Sequence, residues 1–176
     1  MEQSVKCTLR PWKESDLDNL VKHANNYHVA KNLTNAFPYP YTRQDGEKYI
    51  SSTLQIEPAR LFAIDVKGQA VGSIGFFPQS DIHAKNAEMG YWLAQEYWGQ
   101  GIMTEAVEKL VEYAFGKFDI TRIYAGPFGT NKASQRVLEK SGFTLEACFK
   151  KALFKHGEFI DEMIYARRIN DFLDSI

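Results

Sequence analysis

The stretch Trp98-Gly99-Gln100-Gly101-Ile102-Met103-Thr104-Glu105-Ala106 constrains this chain more than any other. A strand-like run, Glu88-Met89-Gly90-Tyr91-Trp92-Leu93-Ala94, precedes it, and a strongly amphipathic run follows. Two glycines spaced Gly-x-Gly at a strand-to-helix junction let backbone N–H groups turn toward one point. There the helix N-terminus adds roughly half a positive charge. The junction is a ready anion site, and a pyrophosphate is its natural guest. A tight strand-to-helix turn without a ligand is the competing reading of the same glycines. The third glycine of the dinucleotide fingerprint is missing, and no strand–helix–strand repeat precedes the motif. Gly-Lys-Ser/Thr is missing too, which argues against a nucleotide-triphosphate loop.

With its flanks, the motif resembles the GNAT superfamily of N-acetyltransferases, whose pyrophosphate loop reads Gln/Arg-x-x-Gly-x-Gly/Ala. The window here runs from Trp98 to Met103. Gly101 matches, while Trp98 and Met103 depart from the pattern. The wider order is Glu88-x-Gly-Tyr-Trp-Leu, Gly-Gln-Gly-Ile-Met-Thr-Glu-Ala, Asn131-x-x-Ser134 and Ser141-Gly142-Phe143. It looks like the RimJ/RimL type, the ribosomal-protein N-terminal acetyltransferases, over nearly the whole chain.

The chain has 176 residues, which suits one domain over 1–176 with one sizeable core. A hydrophobic share of 44% and a charged share of 24% place it among soluble globular proteins. The net charge of −1 gives no reason to expect nucleic-acid or anionic-membrane binding. No apolar run approaches the roughly 20 residues of a membrane span. The segment Met1-Glu2-Gln3-Ser4-Val5-Lys6 has no apolar signal region. Two distant cysteines, Cys7 and Cys148, fit a reducing cytoplasm better than a disulfide. Cys148 reads as a buried, inert thiol. His23, His28, His83 and His156 are scattered without ligand spacing, so no metal is expected. No Gly-x-Ser-x-Gly elbow occurs, which argues against a hydrolase.

Taken in order, Val5 to Trp12 reads as a first strand. Ser15-Asp16-Leu17-Asp18 has the form of a capping box before a helix with Leu17, Leu20, Val21 and Ala24 on one face, fading at Asn25-Asn26. Lys31 to Tyr41 is irregular, because the prolines of Phe37-Pro38-Tyr39-Pro40-Tyr41 remove donors and restrict their neighbours. Its rings suit either the wall of an acceptor pocket or a loop pinned to the core. Thr42-Arg43-Gln44-Asp45 starts a second helix with Tyr49, Ile50 and Leu54 inward. Leu61–Val66 and Ala70–Phe77 are strands joined by a Lys67-Gly68 hairpin turn. Asp81 to Asn86 is a polar loop, and Glu88 to Ala94 the next strand. Met103, Ala106, Leu110, Ala114 and Phe118 give the long helix its apolar face, with Glu105 and Lys109 as an exposed pair. Arg122–Ala125 is a short strand broken by Gly126-Pro127-Phe128-Gly129. Thr130 or Asn131 caps a helix with Val137 and Leu138 inward, stopped at Gly142. Phe143–Lys150 and Phe159–Ala166 are strands turning near His156-Gly157, and the last residues read as a fraying tail. One α+β domain with a mostly antiparallel sheet follows. The resemblance implies the GNAT acyltransferase fold: six to seven mixed strands, about four helices, strands four and five splayed, and acetyl-CoA in the gap.

The reaction the resemblance implies is direct attack of a neutral amine on the thioester of acetyl-CoA, without a metal. An α-amine of pKa about 7.7–8.0 is roughly one-tenth neutral at pH 7, whereas a lysine near 10.4 is almost wholly charged. The α-amine therefore asks only about 1–1.4 kcal/mol of a base. A carboxylate working through one water suffices. Glu88, at the start of the strand entering the junction, is the first candidate, with Asp161, Glu158 and Glu162 as competitors. Some relatives carry a glutamate on the strand after the Gly-Phe turn, where this chain has Leu153. Backbone N–H groups of Trp92, Leu93 and Ala94 are the expected oxyanion and cofactor contacts. Trp98, Gly99, Gln100, Gly101, Ile102, Met103 and Thr104 form the expected cofactor loop. Asn131 and Ser134 match the family's Asn-x-x-Ser, and Ser134 is the expected donor of a proton or a hydrogen bond to the leaving thiolate. Simple helix capping by Asn131, with Ser134 facing solvent, is the competing reading.

The acceptor implied is a protein or peptide N-terminus. A small amine (amino acid, polyamine or aminoglycoside) and a non-catalytic CoA-binding module are the alternatives. Monomer and homodimer are both open.

Overall fold

Thr42 is followed three residues on by an acid, and Lys67-Gly68 joins two alternating apolar runs; both features form as their chemistry requires. The Thr42 hydroxyl accepts the Asp45 N–H at 3.2 Å, and the Asp45 carboxylate accepts the Thr42 N–H at 2.8 Å. Lys67 and Gly68 both take positive φ, 53° and 85°, as a two-residue hairpin turn demands.

The computed structural model describes residues 6–175. The elements are β1 (Thr8–Arg10), α1 (Leu17–Ala24), α2 (Tyr27–Ala30), α3 (Arg43–Leu54), β2 (Leu61–Val66), β3 (Gln69–Pro78) and β4 (Asn86–Leu93). Then come α4 (Ile102–Lys117), β5 (Arg122–Ala125), α5 (Lys132–Lys140), β6 (Thr144–Lys155), β7 (Glu158–Arg168) and α6 (Ile169–Leu173). The strand order is β1-β2-β3-β4-β5-β7-β6. The β4–β5 pair is parallel, and β1–β2, β2–β3, β5–β7 and β6–β7 are antiparallel. This is the mixed, mostly antiparallel sheet expected. Strand β1 is shorter than Val5–Trp12, and Val5 lies outside the described residues. Among the described residues, no helix is long and apolar enough to cross a membrane.

The chain divides into two compact units, Met1–Gly75 with Tyr91–Leu110, and Phe76–Gly90 with Val111–Ile176. In the first, Trp12, Leu20, Ala24, Tyr41, Ile50, Ala63 and Ala70 form a buried cluster, with Leu17, Phe37, Tyr49 and Trp92 packed on it. Phe37 and Tyr41 thus pin the proline-rich loop, while Tyr39 stays exposed. Leu54, expected inward, is exposed at the end of α3. The Ser15–Asp18 capping box does not form. Asp16 instead is buried, accepts the Lys13 N–H at 2.9 Å, and binds Arg10 through both oxygens at 2.7 and 2.8 Å. Burial alone would raise the Asp16 carboxyl, but the Arg10 hydrogen bonds bring it below its usual range. Gly72 has no room for a side chain: a Cβ there would stand 2.5 Å from the Trp92 carbonyl oxygen.

In the second unit, Phe76 is fully buried against Phe118, ring centroids 4.9 Å apart. The expected fraying tail is α6, whose Phe172 packs on Phe115 at 5.8 Å. Gly142 stops α5 at φ 73°, and His156 and Gly157 turn the last hairpin at 53° and 80°. Cys7 is buried and Cys148 exposed, so the expectation of a buried Cys148 is reversed. Both thiols are free.

Candidate functional site

In the first unit, β4 runs into a 3-10 turn at Gln95–Tyr97, and the loop delivers α4 from Ile102. Gly99 and Gly101 take φ 74° and 76°, a conformation that costs any other residue steric strain. The first intrahelical hydrogen bond runs from the Glu105 N–H to the Gly101 carbonyl at 3.2 Å. The N–H groups of Ile102, Met103 and Thr104 therefore have no partner within the helix. The side chains of Ile102 and Met103 are buried, so these residues present backbone alone. No atom lies within 4 Å of a Cβ built on Gly99. An exposed turn that offers backbone donors and the positive end of a 16-residue helix fits a phosphate group.

The polar side chains of the loop fold away from that point. The Trp98 indole N–H donates to the Leu93 carbonyl at 2.8 Å, and the Gln100 amide donates to the Glu96 carbonyl at 3.0 Å. Trp98 thus closes the loop onto the end of β4. Trp92 packs edge-on to Phe37 at 5.8 Å. The Ala94 N–H donates to the Val71 carbonyl at 2.8 Å. It is committed to the sheet, which removes it from the oxyanion donors expected at Trp92, Leu93 and Ala94.

Of two polar arrangements in this unit, one is more buried than expected and the other escaped the sequence reading. Glu105 and Lys109, expected as an exposed pair, meet at 2.7 Å in a partly buried setting. His23 is buried on α1 with Nδ1 3.2 Å from the Glu96 carboxylate, and burial lowers its pKa. Its spacing after Leu20 falls on the apolar face, the one signal available.

In the second unit, β4 and β5 pair only over Asn86↔Arg122, Ala87↔Ile123 and Glu88↔Tyr124. Among the described residues this register ends at Glu88, while β4 runs on to Leu93. Ala87 and Met89 are buried, so the strand's alternation turns Glu88 to the opposite, exposed face. Tyr124 stands beside it in register, flanked by the buried Ile123 and Ala125. Burial, then the neighbouring Glu88 carboxylate, raise the Tyr124 pKa, with Glu162 a weaker contributor. The phenol is therefore held protonated. Arg122 lies over its ring at 4.8 Å. Tyr124 was missed in the sequence because its neighbours mark a strand without marking which face it serves.

The competitors of Glu88 sit differently. Asp161 accepts the Lys151 N–H at 2.8 Å and the Lys150 ammonium at 3.0 Å, and these bonds hold its carboxyl below the usual range. It fastens a β6 irregularity where Lys151 takes φ 52°. Glu158 is exposed at the hairpin turn. Glu162 reaches the chain after β5: its Oε1 is 3.0 Å from where a Gly126 Cβ would stand. Leu153 pairs with Ile160. Asn131 caps α5, its Oδ1 accepting the Ser134 N–H at 3.2 Å. Ser134 is half-buried rather than fully solvent-facing. Among the described residues, no group of three His, Cys, Asp or Glu is placed to hold a metal ion.

Comparison with known proteins gives this arrangement a family. The acetyltransferase (GNAT) domain matches residues 6–144. The chain is 34% identical over 98 residues to the uncharacterized N-acetyltransferase YoaA of Bacillus subtilis, a match spanning 56% of this chain and 55% of that protein. It is thus matched over about half the length of that relative. It is 29% identical over 132 residues to the ribosomal-protein-serine acetyltransferase of Escherichia coli, covering 73% of each. Among solved structures, RimL, a ribosomal L7/L12 alpha-N-protein acetyltransferase in complex with coenzyme A, superposes with a TM-score of 0.83 at 26% identity. That superposition covers 96% of this chain and 97% of RimL. The microcin C7 self-immunity acetyltransferase MccE, in complex with acetyl-CoA and AMP, superposes at 0.79 with 28% identity, covering 93% of each chain. The chain belongs to the GNAT acetyltransferase family.

Proposed function

We propose that residues 1–176 form one acetyl-CoA-dependent N-acetyltransferase domain whose acceptor is the N-terminal α-amine of a protein or peptide. The observation that carries the reading is the open Gly99–Gly101 turn at the start of α4, with both glycines left-handed and three helical N–H groups without intrahelical partners. The likeness to the ribosomal-protein-serine acetyltransferase supports the acceptor class.

Acetyl-CoA, when bound, supplies the acetyl group as a thioester. The backbone from Gly99 to Thr104 holds the diphosphate, and Trp98 keeps the loop closed by its bond to Leu93. Glu88 takes the proton from the incoming amine, through one water where the distance requires it. Tyr124, held protonated beside Glu88, supplies a hydrogen-bond donor on the same face. Ser134, fixed one turn into α5 by the Asn131 cap, donates a hydrogen bond to the departing thiolate, and the proton that Glu88 takes from the amine passes through water to the thiol product. Of the three expected oxyanion donors the Leu93 N–H remains in this scheme, since Trp92 shares the strand edge on which Ala94 donates to Val71. The two free thiols suit a reducing cytoplasm.

The test is Glu88→Gln. With a peptide amine acceptor, turnover falls by about 10²–10⁴-fold, the usual worth of a general base, while the acetyl-CoA Kd is kept. Unchanged turnover removes Glu88 from the mechanism.

A further inference from the structure

The segment Trp98 to Thr104 contains no cationic side chain, and an acid, Glu105, follows in the first turn of α4. A diphosphate seated there would meet backbone dipoles alone, with a carboxylate nearby. The structure provides a cation from elsewhere in the first unit. Both Glu105 oxygens accept the backbone N–H of Lys6, at 3.2 and 3.1 Å. The Lys109 ammonium neutralises Glu105 at 2.7 Å and also donates to the Cys7 carbonyl. The Cys7 thiol donates to the Ile102 carbonyl at 3.6 Å. These contacts bolt the main chain of Lys6 and Cys7 onto the first turn of α4. From that anchor the Lys6 side chain reaches the loop. Its Nζ stands 2.6 Å from where a Gly101 Cβ would be, with Cε at 3.7 Å and Cδ at 3.8 Å. Gly101 is therefore required for its left-handed φ, and a side chain there would displace the ammonium beside it.

We infer that Lys6 is a ligand of the donor's diphosphate, brought to the Gly101 turn by the Glu105 anchor of its own backbone. This rests on the reading of the loop as the acetyl-CoA site. A single ammonium suits the role, since lysine binds phosphate as a point charge. The anchor uses the Lys6 backbone N–H, so changing the side chain leaves it in place.

The experiment is calorimetric titration of acetyl-CoA into the wild-type chain, Lys6→Ala and Lys6→Arg, from about 0.05 to about 0.5 M salt. Lys6→Ala weakens binding about tenfold at low salt, the scale of one charge-assisted hydrogen bond facing solvent. The deficit shrinks as salt rises, and Lys6→Arg restores most of the affinity. Lys6→Ala binding as tightly as wild type overturns the inference alone. So does a deficit that salt does not diminish and arginine does not rescue, because that is the mark of a damaged anchor. Failure of the wild-type chain itself to bind acetyl-CoA sinks the loop reading together with the inference.

Discussion

Gly99→Ala and Gly101→Ala form a matched pair that separates backbone strain from ligand contact. Both positions have φ near 75°, 74° and 76° respectively. Holding an L-residue there costs about 1–2 kcal/mol. The stiffer unfolded chain returns about 0.4–1 kcal/mol. The net loss is about 1 kcal/mol for each variant, or about 2–4 °C in Tm for a chain of this size. The surroundings then differ. A Cβ on Gly99 meets nothing within 4 Å, whereas one on Gly101 lies 2.6 Å from the Lys6 Nζ. The ammonium is the end of a flexible chain, so it moves aside at little cost in stability, and its contact with the ligand is lost. Thermal denaturation of the two variants should therefore nearly coincide, while calorimetry gives an acetyl-CoA Kd about tenfold or more weaker for Gly101→Ala than for Gly99→Ala. Equal affinities in the pair would refute the assignment of Gly101 and Lys6 to the phosphate contact, however the Tm values fall.

Two further predictions concern stability. His23 is buried and its pKa lies below the ordinary 6.5, chiefly from desolvation, with the Glu96 carboxylate opposing and Lys22 adding to the fall. The unfolded chain therefore binds more protons than the folded one as pH drops below about 6.5, and stability declines by up to about 1.4 kcal/mol per pH unit. Denaturant melts between pH 7 and 5 should show this slope, and His23→Gln should flatten it; an identical slope in that variant contradicts the assignment. Gly72→Ala forces a methyl to 2.5 Å from the Trp92 carbonyl oxygen and 3.1 Å from the Leu93 Cα, both backbone atoms. Urea unfolding should report a loss of about 1–3 kcal/mol, and a neutral effect would mean that the strands separate freely.

The parts of this fold that local chemistry determines were legible in the sequence. Strands Leu61–Val66 and Arg122–Ala125 fall where their apolar patterns place them, and the Thr42 cap and Lys67-Gly68 turn form as read. The failures share a cause. Ser15–Asp18 has the form of a capping box, yet Arg10, distant from the helix start in pattern but near it in space, claims Asp16. The tail forms α6 because Phe172 finds Phe115. Glu105 and Lys109 read as a surface pair, but β1's approach turns them into an anchor for Lys6. Ala94 lies within the segment that sequence assigns to oxyanion binding, and only the sheet's hydrogen bonding reveals its N–H as spent on Val71. Glycine spacing marks the loop proposed for the cofactor. The cation beside it, some ninety residues upstream, has no sequence signal, because nothing in the run around Lys6 marks which helix it docks on.

Thiol release from acetyl-CoA, measured with a pool of short peptides bearing free α-amines and with the same pool blocked at its N-termini, tests the central claim most directly. The account predicts release with the open pool and none with the blocked one, with mass spectrometry placing the added acetyl on the first residue. Release from neither pool, or equal release from both, would contradict an N-terminal α-amine as the acceptor.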